Sequence, residues 1–175
     1  VYDVNSNLSD VTIDDLTVTG SLDVNGTIKL DGNYPTGTNN VALGDTALSS
    51  GSLSGASNTA IGHAALIANT SGNVNTGIGK QALTANTTGS NNVALGGQAL
   101  DANTTASFNT AIGYNSLTSN LVGANNTALG YQSLCKNTGS NNTSVGYNSL
   151  LANTTGTSNV AVGRCALATN ISGGT

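Results

Sequence analysis

The chain has 175 residues, of which 7% are charged and 3% aromatic, and its formal net charge at pH 7 is −4. Four lysines and arginines against eight acidic residues exclude a basic surface for nucleic acid, and no apolar run is long enough to insert into a membrane. A single histidine, His63, and the lack of glutamate leave no pair of groups for acid–base catalysis, so we expect a non-enzymatic protein without a cofactor or metal ion.

Residues 1–38 form an acidic module built on a six-residue pattern. Apolar and polar residues alternate and end in glycine and a small polar residue in three hexads: residues 16–21, 22–27 and 28–33. A two-residue hairpin at Asn25-Gly26 would put the two apolar residues before it on the opposite face from the two after it. A three-residue loop avoids this, but we prefer a path in which strands from three chains wind together. The module is therefore predicted to be a short β stem.

From residue 39 to residue 175 one unit recurs eight times. Its pattern is Asn-(Val/Thr)-Ala-(Ile/Leu/Val)-Gly-x-x-(Ala/Ser)-Leu-x-x-Asn-Thr-Thr-Gly-Ser, and each unit is named here as a rung, numbered by its central glycine. These glycines are Gly44, Gly62, Gly79, Gly96, Gly113, Gly130, Gly146 and Gly163. Their spacing is 16 to 18 residues, and 17 in most cases. Such a short, regular period indicates a solenoid, in which one unit cannot bury a core alone.

The same residue types return at fixed positions relative to the central glycine. Asparagine is at −4, an aliphatic residue at −1 and leucine at +4 in all eight rungs, and asparagine returns at +7 in seven. Apolar residues before the glycine and around the leucine predict two short strands per rung, with turns of Asn, Thr, Gly and Ser between them. The fold class is therefore all-β, a parallel β-roll or β-helix about 38 Å long. Stacked amides make the asparagines structural.

The predicted interior is thin. Each rung would supply the aliphatic residue at −1, the leucine at +4 and two residues of alanine size. Because apolar burial must offset chain entropy, a monomer with such a core would be marginal. We therefore expect several copies to share one axis, most simply as a homotrimer.

The repeats resemble those of a known group of fibrous proteins. Asn-Asn-Val-Ala-Leu-Gly at residues 91–96 and Asn-Thr-Ala-Ile-Gly at residues 58–62 and 109–113 are similar to repeats in the heads of trimeric autotransporter adhesins. Those heads are left-handed parallel β-rolls wound as trimers, so the resemblance implies handedness and an intertwined trimer. The longer unit with its Asn-Thr-Thr-Gly-Ser extension looks more like repeats of bacteriophage tail fibres and related viral fibres.

The hexads of residues 1–38 likewise resemble stem or connector segments of phage fibres. The resemblance implies a fibre segment of a phage or viral tail, located in the virion. Its stem would attach to a neighbouring fibre or baseplate protein, and its roll would act as a spacer that contacts the host surface. A bacterial surface adhesin or extracellular filament subunit is the alternative. Ice binding is a third hypothesis, which the irregular Val/Thr sequence at position −3 does not favour.

One candidate ligand site stands out in the repeat. Tyr114, Tyr131 and Tyr147 follow three successive central glycines, and the amides of Asn115, Gln132 and Asn148 follow them. Aromatic faces beside amides suit a host-surface glycan, whose ring stacks while its hydroxyls bond to the amides. Mutual stabilisation of the stacked rings is the interpretation we favour. Position +1 varies widely among the rungs and holds His63 in rung 2, so it is expected to face solvent.

The two cysteines are predicted to be free. Cys135 and Cys165 lie two rungs apart at different positions, and two rungs are about 9 to 10 Å, beyond the reach of a disulfide. Free thiols fit assembly in the cytoplasm. A bond between chains about a trimer axis is the alternative.

Overall fold

The structure, a computed structural model, describes residues 38–173. They form one parallel sheet with a three-residue strand from each rung, and the strand order equals the chain order. The strands are β1 (Val41–Leu43), β2 (Thr59–Ile61), β3 (Thr76–Ile78), β4 (Val93–Leu95), β5 (Thr110–Ile112), β6 (Thr127–Leu129), β7 (Thr143–Val145) and β8 (Val160–Val162). Equivalent positions pair throughout. The predicted parallel β-solenoid is confirmed; the predicted stem lies outside the described residues apart from residue 38.

The second strand predicted around the leucine does not form in the part of the chain that the structure describes. Besides the central glycine, three residues of each rung have positive φ, at positions −5, +2 and +4, and Leu100 at +4 has a φ of 51°. Left-handed residues two positions apart turn the chain too tightly for the extended backbone of a strand. The leucine segment is therefore a turn that carries the main apolar side chain of the core.

The core is a single file of leucines between two walls of small residues. The leucines at +4 are fully buried in rungs 1 to 7, and the small residues at −2 and +3 line them, as Ala94 and Ala99 do in rung 4. The prediction that the aliphatic residues at −1 also lie inside is wrong. Neighbours along a strand point to opposite faces, so the inward turn of Ala94 directs Val93 and Leu95 outward.

The outward side chains at positions −3 and −1 of all rungs are called the outer sheet face. Position −3 holds Val41, Thr59, Thr76, Val93, Thr110, Thr127, Thr143 and Val160, and position −1 holds Leu43, Ile61, Ile78, Leu95, Ile112, Leu129, Val145 and Val162. Every one of these residues is half-buried or exposed. The sheet therefore presents a regular apolar surface on the side away from the leucines.

The asparagines at −4 are structural, as predicted. Asn75 is fully buried, and its backbone N–H donates to Oδ1 of Asn58 at 2.9 Å in the rung before. Its own Nδ2 donates to the carbonyl of Gly89 at 2.8 Å. Each side chain thus joins its own rung to the next and satisfies backbone groups that a turn leaves unpaired.

The asparagines at +7 form a second buried ladder, side chain to side chain. Nδ2 of Asn86 donates to Oδ1 of Asn69 at 2.9 Å, and Nδ2 of Asn103 donates to Oδ1 of Asn86 at 2.8 Å. Each also donates to a carbonyl three residues on, as Asn86 does to Gly89. The polar part of the interior is therefore hydrogen-bonded along the stack.

The central glycines allow successive rungs to approach closely. Gly113 has a φ of 130°, and a Cβ atom there would lie 2.4 Å from the carbonyl oxygen of Gly130. Any side chain would therefore collide with the backbone of the next rung. This contact with the next rung explains the central glycine in rungs 1 to 7.

Candidate functional site

The residues at +1, directly after the central glycines, form one row of side chains along the solenoid. In chain order they are Asp45, His63, Lys80, Gly97, Tyr114, Tyr131, Tyr147 and Arg164. All except Gly97 are exposed, which confirms that position +1 faces solvent. Because each strand ends two residues before this row, the sheet holds the side chains at a constant spacing of about 4.8 Å.

The three tyrosines stack on one another. The ring centroids of Tyr114 and Tyr131 are 5.8 Å apart with an interplanar angle of 16°, and those of Tyr131 and Tyr147 are 5.2 Å apart at 9°. The guanidinium carbon of Arg164 lies 5.6 Å from the centre of the Tyr147 ring, a cation–π contact at the end of the stack. The ring faces inside the stack are thus occupied by neighbouring rings.

The predicted amide partners lie beside the stack. Asn115, Gln132 and Asn148 occupy position +2, are partly buried and have φ values of 51° to 53°. Oδ1 of Asn115 and Oδ1 of Asn148 are buried and accept no hydrogen bond from the described residues. These two oxygens are enclosed and do not face a ligand. The structure therefore brings the six predicted residues together, and the ring faces inside the stack are covered by neighbouring groups.

Gly97 interrupts the row between Lys80 and Tyr114, a feature that the sequence analysis did not use. A Cβ atom at Gly97 would lie 3.4 Å from Cδ2 and 3.6 Å from Cε2 of Tyr114, so this ring leans over the glycine. The row consequently has a one-residue gap with an aromatic ring on one side and a lysine on the other. The signal was present in the sequence as the one glycine at +1.

The polar groups at the start of the row form a weak pair. Nε2 of His63 lies 3.7 Å from Oδ2 of Asp45, and both side chains are largely exposed. Among residues 38–173 no group of three His, Cys, Asp or Glu side chains could hold a metal ion. Lys80 has no ion-pair partner within the same range.

Both thiols are free, as predicted. Cys135 is half-buried, and Cys165 is exposed near the carboxyl end of the described stack. Burial raises the pKa of the Cys135 thiol, while the charge of Lys136 lowers it to a smaller extent. The raised pKa lowers the reactivity of the Cys135 thiol, because the thiolate is the nucleophile.

Comparison with known proteins gives no relative. No protein-family model matches the chain, and no curated protein or solved structure matches it with statistical significance. The described residues contain no helix with the length and apolarity to cross a membrane. The geometry of the solenoid is thus the basis for a functional proposal, and β-solenoids are commonly structural proteins.

Proposed function

We propose that this chain is a structural segment of a phage or viral tail fibre, in which three copies of the solenoid associate through their outer sheet faces. The observation that supports this proposal is the apolar character of that face. Leu95 and Leu129, for example, remain 43% and 42% exposed in the single chain. Contiguous apolar surface of this kind marks sites of association.

The composition of the outer sheet face favours a copy of the same chain as its partner. Its two positions hold eleven aliphatic residues (eight at −1 and three at −3), five threonines and no charged residue in any rung. A surface that repeats every rung is best matched by one with the same period, because each side chain then meets an equivalent environment. The number three comes from the resemblance to trimeric adhesin heads.

The thin core supports association for an energetic reason. Leucine at +4 is the single large side chain that each of rungs 2 to 7 buries fully among its apolar residues. Burial of the aliphatic residues at −1 would contribute about 1.5–3 kcal/mol for each side chain fully covered. A trimer would therefore approach the apolar burial of an ordinary domain, with the outer faces of three sheets as its centre.

Ice binding is the third candidate, after a bacterial adhesin or filament subunit, and it would use the same surface. Five of the eight residues at position −3 are threonines that point outward from the parallel sheet, as Thr110 and Thr127 do, and valine occupies the other three rungs. This use requires the outer sheet face to be open to water, whereas the trimer covers it. Thermal hysteresis together with a monomeric mass would support ice binding over the fibre.

The first test is the mass of the protein in solution, measured by light scattering with and without residues 1–38. We expect a mass three times the 17.2 kDa of one chain. Leu95→Lys combined with Leu129→Lys should yield monomers, because six charges would meet at the shared axis. Phe108→Lys, at an exposed turn outside the face, is the matched control and should leave the mass unchanged. A wild-type monomer would refute the association.

Association alone does not distinguish a viral fibre from a bacterial adhesin. Neighbouring genes for tail and baseplate proteins would support the fibre, whereas a neighbouring segment for a membrane-anchor barrel would support the adhesin. The stem is tested separately, since loss of the trimer on removal of residues 1–38 would assign it the role of holding the three chains in register.

A further inference from the structure

We propose that the gap at Gly97 is a binding site for a pyranose that carries a carboxylate group, such as a uronic acid. This inference is independent of the structural role proposed above, because it concerns the row at +1 and not the outer sheet face. Its elements are the ring of Tyr114, the ammonium group of Lys80 and the amides of Gln81 and Gln98.

The gap has the height of one sugar ring. Lys80 and Tyr114 belong to rungs 3 and 5, so two spacings of about 4.8 Å separate their backbones along the stack. A ring placed between two groups needs about 4 Å to each of them. The missing side chain of Gly97 thus leaves room for a single ring at the level of rung 4.

Tyr114 is the one tyrosine of the stack with an open face. Both faces of Tyr131 are covered by neighbouring tyrosines, and Tyr147 lies between Tyr131 and Arg164. Tyr114 contacts Tyr131 on one side and leans over a glycine on the other, where no ring or guanidinium group of the described residues stacks on it. The apolar face of a pyranose would continue the stack at this position.

The polar groups around the gap select an acidic sugar. Lys80 is exposed and forms no ion pair with the described residues, whereas His63 already faces Asp45. Gln81 and Gln98 directly follow Lys80 and Gly97 in the chain and are half-buried. Their side-chain amides form no hydrogen bond among residues 38–173, and amides of this kind can bond to hydroxyl groups. A carboxylate would meet the ammonium group in a charge-assisted hydrogen bond, which a neutral sugar cannot form.

The proposal is tested by ligand-observed NMR titration of the full chain with methyl β-glucuronide, and with methyl β-glucoside as the neutral counterpart. Gly97→Tyr fills the gap by continuing the stack, and tyrosine already occupies position +1 in three other rungs. A Cβ atom at Gly97 meets nothing closer than 3.4 Å, so this variant should fold. Lys80→Gln removes the charge, and Lys136→Gln is the control for loss of a lysine elsewhere.

We expect the glucuronide to bind wild type and Lys136→Gln equally, and to bind Gly97→Tyr at least about tenfold more weakly. Lys80→Gln should bind glucuronide and glucoside with similar affinity, because it loses the preference for the acid. Absence of glucuronide binding to wild type would overturn the proposal. Binding that persists in Gly97→Tyr would also overturn it, and so would a preference for the acid that survives Lys80→Gln.

Discussion

Val74 adopts a backbone conformation that β-branched side chains rarely adopt. Its φ is 56°, in the left-handed region, and its side chain is 55% exposed, so it contributes little to packing. Other rungs place asparagine at this position, as Asn91 shows with a φ of 58°. Val74→Asn should therefore raise the free energy of unfolding by about 1 kcal/mol. Urea denaturation followed by circular dichroism measures this change.

The reciprocal substitution is the matched control. Asn91→Val places a β-branched residue in the same conformation one rung on, and the free energy of unfolding should fall by a similar amount. Equal stability of both variants and wild type would show that the turn relaxes around the side chain and that the left-handed conformation costs nothing there.

Asp101 lacks a hydrogen bond that its equivalents in neighbouring rungs form. At the same position +5, Oγ1 of Thr84 donates to the carbonyl of Ala64 at 3.1 Å, and Oγ1 of Thr118 donates to the carbonyl of Gln98 at 2.9 Å. Oδ1 of Asp101 is buried without a partner among the described residues. Burial raises the pKa of the Asp101 carboxyl, more than the backbone N–H groups of Ala102 and Asp101 lower it.

This pKa direction sets the pH dependence of the substitution Asp101→Thr. A raised pKa in the folded state means that the stability associated with the protonated carboxyl is complete below the pKa of the unfolded chain, about 3.9. It is lost as the pH rises through the folded-state value. The variant should thus gain about 0.5–1 kcal/mol from the restored hydrogen bond. Its advantage over wild type should be larger at pH 7 than at pH 3.5.

Urea denaturation at the two pH values measures this difference. Asp45→Thr removes an exposed carboxylate near the amino end of the described chain and controls for the change in net charge. A gain for Asp101→Thr that is the same at both pH values would contradict the role of the buried carboxylate.

For single residues, the sequence predicted whether a side chain has a structural role better than it predicted whether the side chain points into the core or outward. The asparagines were assigned to the structure because their amides can pair in a stack, and Asn58 and Asn86 confirm this. Leu95 was placed inside because it is aliphatic, yet it points outward. A three-residue strand has too few residues for alternation to show which face is buried, so hydrophobicity alone was misleading.

At the scale of elements, one turn between rungs 5 and 6 breaks the pattern of hydrogen bonds. Oδ1 of Asn120 is buried and accepts no hydrogen bond from the described residues. Nδ2 of Asn137, in the next rung, donates instead to the backbone carbonyl of Gly139 in its own turn. The backbone N–H groups of residues 121–123 donate no hydrogen bond to the next rung within the described stack, whereas those of Thr104 and Thr138 do. The cause is visible in the sequence as the 16-residue spacing, which shortens Asn-Thr-Thr-Gly to Asn-Thr-Gly.

Insertion of one threonine after Asn137 should repair this turn. The longer turn would let Nδ2 of Asn137 reach Oδ1 of Asn120, as Asn86 reaches Asn69. Satisfying a buried acceptor should raise the free energy of unfolding by about 1–3 kcal/mol, against a small cost for one more turn residue. Chemical denaturation of the insertion variant and wild type measures the difference.

Deletion of Thr88 provides the opposite change in a turn that is intact. It converts Asn-Thr-Thr-Gly to Asn-Thr-Gly in rung 3 and should open an equivalent break, with a similar loss of stability. An insertion variant less stable than wild type would mean that the short turn is accommodated without cost.

Of the two strands predicted for each rung, only the one before the central glycine forms within residues 38–173. The segment before the glycine has the β-branched and aliphatic residues of a strand, and it forms one in all eight rungs. The segment around Leu100 has similar apolar content, but the positive φ values on Gln98 and Leu100 are not favoured by either side chain. Packing of the leucine into the core imposes them, and such tertiary effects are absent from local sequence.

At the scale of the molecule, each rung interacts mainly with its immediate neighbours. Strands pair only in the order of the chain, and equivalent residues meet in every pair. In such a stack the stability is close to a sum of rung and interface contributions. The number of rungs is therefore adjustable as long as the positions remain aligned.

Deletion of residues 63–79, one whole rung, should leave a folded solenoid. Gly62 would be followed directly by Lys80, which keeps the repeat pattern and leaves the gap at Gly97 intact. We expect a Tm lowered by less than about 10 °C, measured by circular dichroism. Deletion of residues 63–71, about half a rung, is the control and should prevent folding, because it misaligns every later position. Failure of the whole-rung deletion to fold would show that rung 2 is indispensable.

The architecture of the whole molecule could be predicted because the sequence repeat determines how the rungs stack. Eight aligned units specify a stack, and the fixed glycine specifies where successive rungs touch. The candidate site was predicted in part: the tyrosines were predicted to stack, whereas Gly97 was not predicted to belong to the site. Which ring faces remain open depends on how the rings lean, and spacing in the sequence does not contain that information.

The unpaired Oδ1 of Asn120 also has a mechanical consequence. A fibre under tension or bending yields first where the fewest bonds cross a plane perpendicular to its axis, and here that plane runs through the turn between rungs 5 and 6. Between other rungs, the hydrogen-bonded asparagines at +7 connect each rung to the next inside the solenoid. We expect the solenoid to behave as two stiff bodies of five and three rungs that share a compliant joint, so that a fibre built from it bends at a defined height.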